Sequence, residues 1–143
     1  MQIVNRSALV PYSANQMYEL VKNVESYPGF LPWCGNARIL EYLPDGVRAS
    51  INISKGKVNK TFSTRNRFVQ DSSIEMNLEE GPFSELHGAW KFEPIGNEGC
   101  RVSLYLEFDF SSTLLRMTVG PVFSIIADRL VDAFVERAEV IYG

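Results

Sequence analysis

Few side chains in this chain of 143 residues have the reach for covalent chemistry. His87 is the single histidine, and Cys34 and Cys100 are the two cysteines. A nucleophilic cysteine needs a base and surroundings that favour the thiolate. Nothing near Cys34 in sequence offers either, so it reads as a small buried apolar residue. His87 lies between Leu86 and Gly88, and strand alternation points it away from the face carrying Trp90. With no second histidine and no acidic cluster near it in sequence, it predicts no metal site. Glu107 and Asp109 alternate with Leu106 and Phe108 and read as a solvated polar face. No nucleophile motif accompanies these residues. We therefore expect no catalytic residue, no metal and no required cofactor.

Two other stretches point to binding. Residues 27–34 read YPGFLPWC, with three aromatics, a leucine and no charge. The segment is too broken by proline for a long helix. Tyr27, Phe30, Leu31 and Trp33 either plug the end of a core or form the mouth of an apolar cavity, and the two readings are compatible. The second stretch is basic: Lys55, Lys57, Lys60, Arg65 and Arg67 fall within 13 residues that contain no acid. A solvated hairpin is the plainer reading. Ribosomal RNA or anionic lipid headgroups are the functional ones, since both attract a local concentration of positive charge. The chain as a whole carries a formal charge of −3 and a pI near 5.2, which argues against a DNA-binding protein.

The elements that must position these residues follow from periodicity. Hydrophobic residues make up 45% of the chain and charged residues 22%, enough apolar content for one globular domain over 1–143. The opening MQIVNRSALV reads as a strand rather than a secretory leader, with Ile3, Ala8 and Val10 apolar. Ser13 can cap a helix over about 14–23, whose apolar stripe is Met17, Leu20, Val21 and Val24. From 37 to 110 the period is two, which predicts six antiparallel strands. Turns fall at Pro44-Asp45-Gly46, Lys55-Gly56-Lys57, Gly81-Pro82 and Gly96-Asn97. A long helical stretch over about 113–141 follows, kinked or restarted at Gly120-Pro121. Its apolar stripe is Phe123, Ala127, Leu130, Phe134, Ala138 and Ile141, with Asp128, Asp132 and Glu136 opposite. The longest uncharged apolar-rich run, Met117 to Ala127, is too short to cross a bilayer. A curved sheet of about seven strands wrapped around the last helix buries both apolar faces. Space between the two is where a ligand goes.

The segments YPGFLPWCGNARI (27–39) and GPFSELHGAWKF (81–92) resemble the START-like, helix-grip (SRPBCC) superfamily. More narrowly, they resemble its coenzyme-Q-binding and ribosome-association-toxin (RatA-like) family, also labelled polyketide cyclase/dehydrase and lipid transport. The resemblance covers essentially the whole chain. It implies an α+β helix-grip fold with a hydrophobic cavity. It also implies two alternative roles: binding an isoprenoid quinone (ubiquinone) in support of respiration, or binding the large ribosomal subunit and blocking subunit joining.

Our leading expectation is a non-catalytic carrier that buries an isoprenoid quinone or another lipid. The walls would be Tyr27, Phe30, Leu31, Trp33, Ile51, Ile53, Phe62, Met76, Leu86, Trp90, Phe92, Leu104, Leu106, Phe123, Ala127, Leu130 and Phe134. A few polar groups at the mouth would orient the headgroup. The alternative is a ribosome-binding toxin whose contact is the basic hairpin, and the third reading is a polyketide cyclase-like enzyme. The setting expected is the cytoplasm, with peripheral contact at the inner membrane face as a further option.

Overall fold

The computed structural model describes residues 1–143. Alternation in the sequence becomes seven antiparallel strands: β1 (Gln2–Val10), β2 (Cys34–Leu43), β3 (Gly46–Lys55), β4 (Val58–Val69), β5 (Ser73–Glu80), β6 (Phe83–Ile95) and β7 (Gly99–Phe110). They form one sheet in the order β1-β7-β6-β5-β4-β3-β2. Each hairpin pairs sequential strands, and β1 returns to pair with β7, with Val4 opposite Leu106. Helix α1 (Ala14–Lys22) follows β1, α2 (Thr113–Thr118) follows β7, and α3 (Gly120–Tyr142) ends the chain. This is the predicted helix-grip architecture.

Local chemistry explains the boundaries. Ser13 Oγ accepts from the Gln16 N–H at 3.1 Å, and Gln16 Oε1 accepts from the Ser13 N–H at 2.9 Å, so two free donors at the start of α1 are satisfied reciprocally. Ser112 caps α2 by accepting from the Leu115 N–H at 3.1 Å. Pro121 stands in the first turn of α3, where a missing N–H costs nothing, and the predicted long helix is therefore two. Gly56 and Gly96 adopt φ near +60° at their turns. At Gly46 a Cβ would lie 1.8 Å from the Asn66 carbonyl oxygen, so only glycine lets β3 approach β4 there.

The core lies between the concave face and α3. Cys100, Val102, Leu104, Leu106, Phe108 and Phe110 alternate inward along β7. Phe123, Ile126, Ala127, Val131, Phe134 and Ala138 make the buried stripe of α3. Along β1, Val4, in phase with Ala8 and Val10, is buried opposite Leu106, and Ile3 is 58% exposed; one assignment changes at the end of the chain. Ile141 is exposed, since the last turn of α3 runs past the sheet, and Tyr12 packs instead against Tyr142 at 5.7 Å between ring centroids. No helix is long and apolar enough to cross a membrane.

Candidate functional site

The sheet and α3 do not close fully on one another. Between them lies a cavity of about 80 Å³, counted as space open to the centre of a water-sized sphere. One water needs roughly 10–15 Å³ on that measure, so the cavity holds a small ring or a short chain rather than a long tail. Thirteen of the expected wall residues line it: Tyr27, Trp33, Ile51, Phe62, Met76, Leu86, Trp90, Leu104, Leu106, Phe123, Ala127, Leu130 and Phe134. Four do not. Leu31 is 1% exposed and plugs the core, and Phe30 lies outside it, edge-on to Phe134 at 5.4 Å with the Arg137 guanidinium 5.0 Å above its ring. Ile53 is swallowed by the second apolar cluster near the β3–β4 tip. Phe92 is spent on Tyr18, edge-on at 5.8 Å. The proline-rich loop thus divides its work: Tyr27 and Trp33 face the cavity while Leu31 seals the core.

The structure adds residues that sequence reasoning missed. Val21, Lys22 and Val24 from the end of α1 and the turn after it, with Phe68, Ile74 and Ile126, complete the apolar wall and its rim. More telling are Thr64 and Asn66. Eighteen of the 21 lining residues are hydrophobic, and the exceptions are Lys22, Thr64 and Asn66. The signal was present, since both share the strand phase of Phe62 and Phe68. Thr64 and Asn66 are buried, and the Thr64 hydroxyl donates to Asn66 Oδ1 at 2.8 Å. Tyr27 donates its hydroxyl to the Val21 carbonyl at 2.5 Å, and complete burial pushes its pKa far above the usual tyrosine range. The Lys22 ammonium rests over the rings of Tyr18 and Phe68, at 5.6 and 5.4 Å from their centroids.

Trp33, Ile126 and Leu130 line both this cavity and a groove on the outer surface. A single layer of side chains therefore separates ligand space from solvent. Lys55, Arg129, Asp132 and Glu136 rim the groove.

The basic stretch does not form one patch. Arg65 and Arg67 lie at the far end of β4, where Arg65 reaches Asp45 at 3.6 Å and Arg67 reaches Glu75 at 3.4 Å. With about 3.3 Å per strand residue, Arg65 and Arg67 stand roughly 26 and 33 Å from Lys57 at the hairpin tip. Lys55, Lys57 and Lys60 at that tip are exposed and take part in no ion pair. The predicted group of five is thus a group of three, plus two neutralised arginines.

On the convex face, His87 Nε2 meets Glu107 Oε2 at 2.7 Å, and Tyr105 donates its hydroxyl to the other Glu107 oxygen. Glu85, His87 and Glu107 bring their ligand atoms within 4.8 Å of one another, so the expectation of no acidic cluster beside His87 is overturned. These three have the donor set to hold a divalent ion at the solvent edge. Glu107 and Asp109 are not merely solvated: Asp109 accepts from the Phe110 N–H at 2.8 Å and from Arg116 at 3.1 Å. These contacts hold its pKa down at about 2, the Phe110 N–H contributing most. Cys34 and Cys100 are buried, which raises both thiol pKa values and disfavours the thiolate.

Residues 10–135 match the family described as polyketide cyclase/dehydrase and lipid transport. The chain belongs to this family. Within it, the chain is 46% identical over 140 residues to the ribosome association toxin RatA of Pseudomonas aeruginosa, covering 98% of this chain and 97% of that one. It is 47% identical over 140 residues to the RatA of Escherichia coli K12, covering 98% and 89%. A more distant relative is the mitochondrial coenzyme Q-binding protein COQ10 homolog B of Xenopus laevis, 26% identical, covering 97% of this chain and 59% of that one. Among solved structures, an aromatase/cyclase from Streptomyces sp. R1128 superposes with a TM-score of 0.84 at 16% identity, covering 96% and 93%. A START superfamily protein from Mycobacterium smegmatis superposes with a TM-score of 0.82 at 19% identity, covering 97% and 98%. These two superpositions show that the chain shares their fold.

Proposed function

We propose that this protein acts on the ribosome, binding the large subunit and interfering with subunit association from a cytoplasmic setting. The observation that carries this reading is end-to-end similarity, at 46% and 47% identity, to proteins named as ribosome association toxins. The geometry supplies a contact surface compatible with it. Lys55, Lys57 and Lys60 project from the β3–β4 tip with no acidic partner, and a phosphate backbone is the natural counter-charge. This replaces the quinone carrier as the leading reading. The test is sedimentation with purified subunits. The wild-type protein should travel with the large subunit, and the variant with all three lysines changed to Glu should remain at the top of the gradient. Equal sedimentation of both would remove the tip from the interface, and no sedimentation of the wild type would refute the reading.

A second reading rests on the cavity. We propose that it takes a small apolar ligand or the head of a larger one, an isoprenoid quinone being the case suggested by the coenzyme Q-binding relative. Burial of its apolar surface would provide about 25 cal/mol per Å². The two readings use different surfaces and can coexist. An enzymatic role has less support, since His87 lies on the convex face, remote from the cavity, and both thiols are buried. Peripheral contact with an anionic membrane would draw on the same lysines, and vesicle sedimentation separates it from ribosome binding.

A further inference from the structure

Asn66 is an uncharged hydrogen-bonding group held in an otherwise greasy chamber. It is 7% exposed and lines the cavity beside Phe62, Phe68 and Met76. Thr64 occupies its carbonyl oxygen through a 2.8 Å hydrogen bond. With the hydroxyl donating, Nδ2 is the free end of the amide, and no acceptor in the protein takes either of its protons. No unpaired polar atom of the chain is sealed off by protein, so Nδ2 meets open space, and the open space beside Asn66 is the cavity. An amide donor that faces a largely apolar space and has no protein partner is available to an acceptor on a ligand.

We propose that Thr64 and Asn66 form the polar subsite of the cavity, and that its ligand is an apolar molecule carrying an uncharged carbonyl oxygen, which accepts from Asn66 Nδ2. The proposal rests on the cavity reading and gives it a chemical class. The walls select against charge. A carboxylate placed there would lose its hydration with only a neutral amide in return, which costs far more than one hydrogen bond restores. The single cation on the lining, Lys22, is held over the rings of Tyr18 and Phe68 at the rim. A plain hydrocarbon would fit but leave Asn66 unpaired. Thr64 acts by positioning: its hydroxyl is the one protein partner of the Asn66 side chain, and without it the amide is free to turn.

The test compares three probes of matched chain length, a decyl-substituted benzoquinone, decylbenzene and decanoic acid, each displacing an apolar fluorescent dye from the purified protein. The wild type should bind the quinone most tightly and the acid least. Asn66→Leu should weaken quinone binding roughly three- to tenfold, the range of one hydrogen bond, and leave decylbenzene unchanged or tighter. Thr64→Val should reproduce part of the quinone loss alone. Unchanged dye affinity and thermal melting would show that both variants fold. If the wild type displaces dye with no probe, the cavity reading fails and this proposal with it. If all probes bind but Asn66→Leu lowers them equally or not at all, the cavity stands and the subsite is overturned, Asn66 serving only an ordered water.

Discussion

Ala127→Leu probes the cavity from its wall. Ala127 is 2% exposed on the inner face of α3 and lines the chamber. Leucine adds three carbon atoms. If they enter the open space, each contributes about 0.8 kcal/mol of burial, about 2.4 kcal/mol in all. Rotamer and packing strain for an inserted side chain runs about 1–3 kcal/mol. The two nearly offset, so the net change should lie within about 1 kcal/mol of zero. A solid core offers no such offset, and the full overpacking cost would appear. Urea denaturation followed by circular dichroism measures the difference. The same variant should weaken dye and quinone binding, because the added carbons would occupy part of the same space. Destabilisation of about 2 kcal/mol or more, or ligand binding at wild-type strength, would refute the reasoning.

Trp90→Ala should cost about 3–5 kcal/mol in urea denaturation, because the ring is 2% exposed and stands edge-on to Phe134 at 5.2 Å. Reversing Arg65 and Arg67 to Glu should change stability by no more than about 1 kcal/mol, since their pairs with Asp45 and Glu75 are half-exposed. It should also leave sedimentation with ribosomal subunits close to wild type, unlike reversal of the three lysines. Asp109→Asn should lower the melting temperature at pH 7 but not at pH 2. The folded-state pKa near 2 lies below the ordinary 3.8, so the carboxylate stabilises the fold above about pH 4 and that contribution fades as pH falls toward 2.

Much of this molecule is legible in one dimension. Strict alternation along Val102–Phe110 has one solution, and the Ser13–Gln16 capping pair is local in sequence. Pro121 placed the restart of α3 for the same reason, since its missing N–H acts on its own turn. Failures came where the outcome depends on distant chain. Leu31 and Trp33 differ in role because one lies under the core and the other beside the gap left by α3. The basic stretch looked like a unit because sequence separation hides the length of an extended strand. Thr64 and Asn66 were passed over as polar residues in a polar stretch, although their phase with Phe62 and Phe68 points inward.

The most direct measurement concerns subunit joining. Purified small and large ribosomal subunits are mixed under associating conditions, and light scattering follows formation of the joined particle. Added wild-type protein should suppress the signal in proportion to its occupancy of the large subunit. Three phosphate contacts through Lys55, Lys57 and Lys60 would make the affinity fall about 20- to 40-fold between 50 and 200 mM salt. Suppression should therefore weaken over that range and vanish when the three lysines are changed to Glu. Joining that proceeds unchanged at saturating wild-type protein and low salt would contradict the proposed action on the ribosome.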